Sequence, residues 1–118
     1  MKKRIILCAF ILMFYILINK SQANSIKNIE MDVNLDENGN ALVTETWQVD
    51  STQGTEGYRA FSKLENSTIT DFSVVDESGR KYQTISDWNT NESFDYKAYK
   101  CGIKEKSNGV ELCWGISQ

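Results

Sequence analysis

The sequence predicts an all-β domain, a two-layered antiparallel sandwich of about seven short strands, behind an N-terminal hydrophobic signal helix. Three observations carry this. Apolar residues alternate with polar ones at a period of two. Turn residues interrupt the alternation at short intervals. No stretch after the first twenty residues has a helical apolar stripe.

The first 23 residues read as an export signal. Lys2-Lys3-Arg4 is a basic start, and Ile5 to Ile18 runs fourteen residues without a charge. Ser21 and Ala23 are the small residues that a signal peptidase accepts, so cleavage is expected between Ala23 and Asn24. An uncleaved anchor is the competing reading. Fourteen helical residues span about 21 Å, short of a ~30 Å hydrocarbon core, which favours cleavage. Cys8 lies too early in the apolar run, with no small residue before it, to be a lipidation site. The expected organisation is a signal over 1–23 and an extracytoplasmic β domain over 24–118, exported and either membrane-associated or secreted.

Alternation defines the strands in order. Ile29, Met31, Val33 and Leu35 share a face, and Asp36-Glu37-Asn38-Gly39 turns the chain. Val43, Glu45, Trp47 and Val49 then share one face of a second strand, with Leu42, Thr44 and Thr46 on the other. Trp47 is its expected core anchor. Gly54 to Gly57 is a break, and Tyr58-Arg59-Ala60-Phe61 restarts the pattern. Ile69, Phe72, Val74 and Val75 mark a strand ended by Glu77-Ser78-Gly79-Arg80, with Tyr82 and Ile85 on the return. Ser86 to Ser93 is a polar loop. Phe94 to Cys101 reads as a strand, and Lys106-Ser107-Asn108-Gly109 turns into Val110 to Trp114. With no Pro in the chain, edge strands need guarding by charge, twist or bulges, and Lys97, Lys100, Lys104 and Lys106 are the candidate charged guards.

Composition limits function. The chain has 118 residues, room for one domain, and no His. Ser-His-Asp and Cys-His catalysis and His-ligated zinc are therefore not available to it. After the signal, nine basic residues face sixteen acidic ones, a net charge of −7 over 95 residues. Such a chain is poorly suited to nucleic acid or anionic lipid. No cofactor is expected.

The motifs are few. Asn34, Asp36, Asn38, Gly39 and Glu45 overlay the register of a calcium loop, but both flanks alternate like strands where helices are required. Gly54-Thr55-Glu56-Gly57-Tyr58-Arg59 lacks the Lys-Ser/Thr end of a phosphate loop. Arg59 fits an ion pair with a nearby acid. Asn66-Ser67-Thr68 and Asn91-Glu92-Ser93 match a glycosylation pattern and mark surface loops. Asp76-Glu77 has no accompanying feature of a sugar cleft. Cys101 and Cys113 flank the last turn. A register placing 104 opposite 110 also places 101 opposite 113, which an exported chain could close as a disulfide. A register shifted by one leaves two free buried thiols.

The ordered set of strand, Asn-Gly turn, Ala41-Leu42-Val43-Thr44-Glu45-Thr46-Trp47, Gly57-Tyr58-Arg59-Ala60-Phe61, Ile69-Thr70-Asp71-Phe72-Ser73-Val74 and Glu111-Leu112-Cys113-Trp114-Gly115-Ile116 resembles a known pattern. It is similar to the N-terminal exported domain of the bacterial membrane proteins grouped as domain of unknown function 2207. Ser62 stands where that family commonly has Pro, and family members continue past the tryptophan strand into membrane helices. The resemblance implies an immunoglobulin-like sandwich, a fragment or truncated member, attachment through C-terminal helices, and no assigned catalytic residue. The expected function is non-catalytic recognition or assembly at the envelope with an unknown protein partner. The alternative is a free secreted ligand-binding or adhesion-type module.

Overall fold

The computed structural model describes residues 24–116. The expected signal over 1–23 lies outside them, as does Ala23 of the cleavage site. The described chain is mostly strand, with two sheets and a single helical turn, in two compact units.

The first unit is a hairpin of β1 (Ser25–Leu35) and β2 (Ala41–Asp50), antiparallel and two-stranded. Ile29 lies opposite Trp47, Val33 opposite Val43 and Leu35 opposite Ala41, the face assignment that the alternation predicts. A bulge between Ile26 and Asn28 leaves Lys27 as the extra residue, so Ile26 opposite Val49 joins the face of Ile29 in spite of the odd spacing. The turn is closed by Asp36. Its backbone N–H donates to Asn40 O at 2.9 Å, and its Oδ1 accepts from the N–H groups of Asn38 and Asn40 at 2.8 and 2.9 Å. Gly39 takes φ +81°, which a residue with a side chain adopts at a cost.

The second unit holds β3 (Glu56–Ser62), β4 (Gln83–Thr84), α1 (Phe94–Lys97), β5 (Lys100–Lys106) and β6 (Gly109–Gly115). The sheet order is β3-β6-β5-β4. The β3–β6 and β6–β5 pairs are antiparallel, while β4 runs parallel to β5, so the sheet is mixed where an antiparallel one is expected. Tyr82, Trp88, Cys101, Val110 and Cys113 are the buried apolar residues.

Three expected elements differ. Residues 69–75 form no strand; Val75 makes an isolated bridge to Lys81 around a turn that repeats the first one. Asp76 Oδ1 accepts from the N–H groups of Ser78 and Arg80, the Asp76 N–H donates to Arg80 O, and Gly79 takes φ +83°. The shared pattern is Asp-Glu-x-Gly-x, at 36–40 and at 76–80. Second, Phe94 to Cys101 is not one strand. Ser93 Oγ accepts from the Tyr96 N–H at 3.1 Å and starts one helical turn, with Asp95 in its first turn and Lys97 in its last. Tyr99 ends it at φ +59°, held by the Arg80 guanidinium 3.5 Å from its ring centre and by the edge of Tyr82. Third, of the expected edge guards, Lys97 lies in α1 and is buried at 2% exposure, and Lys100 is paired with Gln83 of β4, while Lys104 and Lys106 stand on the part of β5 beyond its two-residue pairing with β4.

Candidate functional site

The two thiols do not meet. Ser107 and Asn108 make a two-residue turn, so Lys106 lies opposite Gly109, Cys101 opposite Trp114 and Gly102 opposite Cys113. This is one residue away from the register a Cys101–Cys113 bridge requires. A one-residue shift turns alternate side chains to opposite faces. Both cysteines are free and fully buried, one on each side of the sheet. Cys101 Sγ lies 3.8 Å from Thr84 Oγ1. Burial pushes the Cys113 thiol up to about 11, with the carboxylates of Glu56 and Glu111 acting in the same direction.

A polar cluster backs the Cys113 side of the sheet. The Lys97 ammonium donates to Thr90 O at 2.6 Å, Thr55 Oγ1 at 3.0 Å and Glu56 Oε1 at 3.2 Å. The other oxygen of Glu56 accepts from the Trp88 indole N–H. Each of the three ammonium protons therefore has an acceptor, and each carboxylate oxygen a donor. The sheet glycines permit the close approach. A Cβ at Gly115 would overlap the Lys97 carbonyl, and one at Gly102 would lie 2.8 Å from Ile85 O. The cluster is satisfied internally and joins the 85–97 segment to the sheet. The Arg59 guanidinium lies 4.7 Å from the Phe61 ring centre.

The calcium-loop residues fold as the strand-flanked turn. Asp36 spends its carboxylate on Asn38 and Asn40, and these hydrogen bonds, the Asn40 backbone first, hold its carboxyl below the usual carboxylate range. Asp76 is held below that range in the same way, chiefly by Ser78. Among the described residues no group of three His, Cys, Asp or Glu is placed to hold a metal ion. Asn66 and Asn91 are exposed in loops. Asn24, the first residue after the expected cleavage point, closes the open end of the hairpin. Its side chain donates to Gln53 O at 2.7 Å and accepts from the N–H groups of Thr52 and Gln53.

The hairpin carries the least expected feature. Ile26, Ile29, Met31, Val33, Val43 and Val49 share one face and are between 42% and 55% exposed, and Leu35 at its end reaches 77%. Trp47, the expected core anchor, is half-buried, and its indole N–H donates to Glu45 Oε2 at 2.7 Å on the same face. The opposite face of β1 is a polar row of Asn28, Glu30, Asp32 and Asn34. Asn28 Nδ2 donates to Glu30 at 3.4 Å and Asn34 Nδ2 to Asp32 at 3.1 Å. Alternation predicts the face, but exposure depends on what covers it, which no local pattern encodes. Lys97 was legible as part of a helix through Ser93, Asp95 and Lys97, the cap and charge signals of a one-turn helix.

The chain matches no protein family, no curated protein and no solved structure.

Proposed function

We propose that this chain is a non-catalytic, exported recognition module that engages a protein partner at the cell envelope through the apolar face of its first hairpin. The observation that carries the reading is that face: seven large apolar side chains on one side of two strands, all at least 42% exposed. A contiguous exposed apolar patch bounded by polar residues is the usual mark of an interaction surface. The export half of the reading rests on Lys2-Lys3-Arg4, the apolar run to Ile18 and the small residues before Asn24. The absence of His supports a binding role over hydrolytic chemistry of the triad kind.

Cell fractionation combined with site-specific photocrosslinking tests it. A photoreactive residue in place of Val33 is expected to give an adduct of discrete mass with an envelope protein, and one in place of Thr44, on the opposite face, is not. The processed chain is expected outside the cytoplasmic membrane. A cytoplasmic chain, or equal crosslinking from both positions, overturns the reading. Recovery of the processed chain from the medium, without an envelope adduct, points instead to the free secreted module.

A further inference from the structure

We infer that the partner that meets the apolar face also adds a strand at the outer edge of β1, and that this strand is a cationic amphipathic one, with Lys or Arg alternating with apolar residues. The inference rests on the recognition reading above and names the chemistry of its partner.

The first support is the open edge. Among the described residues β1 pairs only with β2, and all eleven residues of β1 are exposed. A strand edge of this length presents a row of backbone N–H and C=O groups to an incoming extended segment.

The second support is the division of chemistry across the pleat. Ile29, Met31, Val33 and Leu35 line one face of β1, and Glu30 and Asp32 stand between Asn28 and Asn34 on the other. Side chains of an added strand fall beside their neighbours on the same face. Apolar residues at alternate positions would extend the apolar face. Cations at the intervening positions would lie beside Glu30 and Asp32. The period of two on β1 thus asks for the same period, with opposite charge, in its partner.

Charge decides between this occupant and a second copy. Residues 24–53 carry Lys27 alone against Glu30, Asp32, Asp36, Glu37, Glu45 and Asp50, a net charge of −5. Lys27 is already engaged, 2.9 Å from Asp50. Edge-to-edge pairing of two β1 strands would bring the two acidic rows alongside each other, and like charges on neighbouring strands are destabilising. The same acids therefore repel a copy of this chain and attract a basic strand.

The test uses the full chain and three synthetic nonapeptides. One alternates Lys with Val and Ile, one is a permuted isomer with its lysines grouped at one end, and one has Glu for Lys. Binding is read by fluorescence anisotropy and by protection of β1 amides from hydrogen exchange. The alternating peptide is expected to bind and to protect β1, and the other two are not. Reversal of the row in Glu30→Lys/Asp32→Lys is expected to weaken binding about tenfold, as two neighbouring ion pairs become repulsive. The milder Glu30→Gln/Asp32→Asn variant should fall between, which guards against a folding defect in the reversal. Equal binding of the permuted isomer, or indifference to both variants, overturns the inference. So does concentration-dependent dimerisation that protects β1 without peptide, or protection conferred by anionic vesicles in place of peptide. If the peptides fail while the Val33 crosslink forms, the recognition reading stands and the cationic strand falls.

Discussion

Cys113 is the residue whose environment most changes its chemistry. Its thiol sits at 0% exposure beside the glycine of the neighbouring strand, with Glu56 and Glu111 near enough to oppose a second negative charge. At neutral pH the thiol is protonated in both folded and unfolded chains, so it adds no pH dependence. As pH rises past 9.0 the unfolded chain releases this proton while the folded chain retains it to about 11. The unfolded state then binds fewer protons, and stability falls with rising pH. The loss grows between those two values, levels off above the higher one, and amounts to roughly 2–3 kcal/mol. The difference in unfolding free energy between the native chain and Cys113→Ala, measured in urea from pH 7 to 11.5, should shrink by that amount across the window. A pH-independent difference removes the assignment. The thiol should also resist alkylation at pH 8 until denaturant is added, because the thiolate is the reactive form.

Among the elements, α1 shows how a single turn can be held by tertiary contacts. Four residues have too little helical cooperativity to persist alone. Here Ser93 caps the start, Tyr99 closes the end, and Lys97 reaches into the sheet to meet Thr55 and Glu56. The Lys97–Glu56 pair is buried at 2% and 18% side-chain exposure. Removal of one partner from such a pair leaves a desolvated charge and costs several kcal/mol. Lys97→Met should therefore lower stability by about 3 kcal/mol, discounted slightly because Glu56 keeps some solvent. Lys100→Met should cost no more than about 0.5 kcal/mol, since the Lys100 ammonium lies over the Tyr96 ring in an exposed contact. Urea midpoints followed by tryptophan fluorescence separate the two, and similar shifts would remove the special role of Lys97. The two Asp-Glu-x-Gly-x turns belong to this scale as well. Each uses a carboxylate oxygen to close its own loop.

For the whole molecule, the contrast among the described residues lies between a second unit with buried apolar residues and a first unit with none. The second unit buries Tyr82, Trp88, Cys101, Val110 and Cys113 against a four-stranded sheet. The first is a two-stranded hairpin with no residue below the half-buried range. Isolated hairpins are marginal in water because two strands cannot enclose apolar surface. Native-state hydrogen exchange should register this directly. Amides of β1 and β2 should exchange at low protection, and those of β5 and β6 should approach the protection of global unfolding. Equal protection in the two units would mean that the hairpin face is covered in the free chain. The expected sandwich requires a second layer over the apolar face of each alternating strand. Alternation reports which side chains share a face, and it says nothing of whether another layer lies on that face.

Much of this protein was legible in its residues. The period of two set the faces of β1 and β2, the glycine-containing turns set the chain reversals, and the absence of His restricted the chemistry, because these depend on bonded geometry and residue type alone. The tertiary structure decided the rest. It chose the register that parts Cys101 from Cys113, since a two-residue turn permits only that pairing. It drew Lys97 inward, since Glu56, Thr55 and Thr90 converge there from distant points in the chain. Among the described residues it left the large apolar side chains of the first hairpin's face at least 42% exposed, since burial is a property of neighbours and not of the strand that bears the side chains.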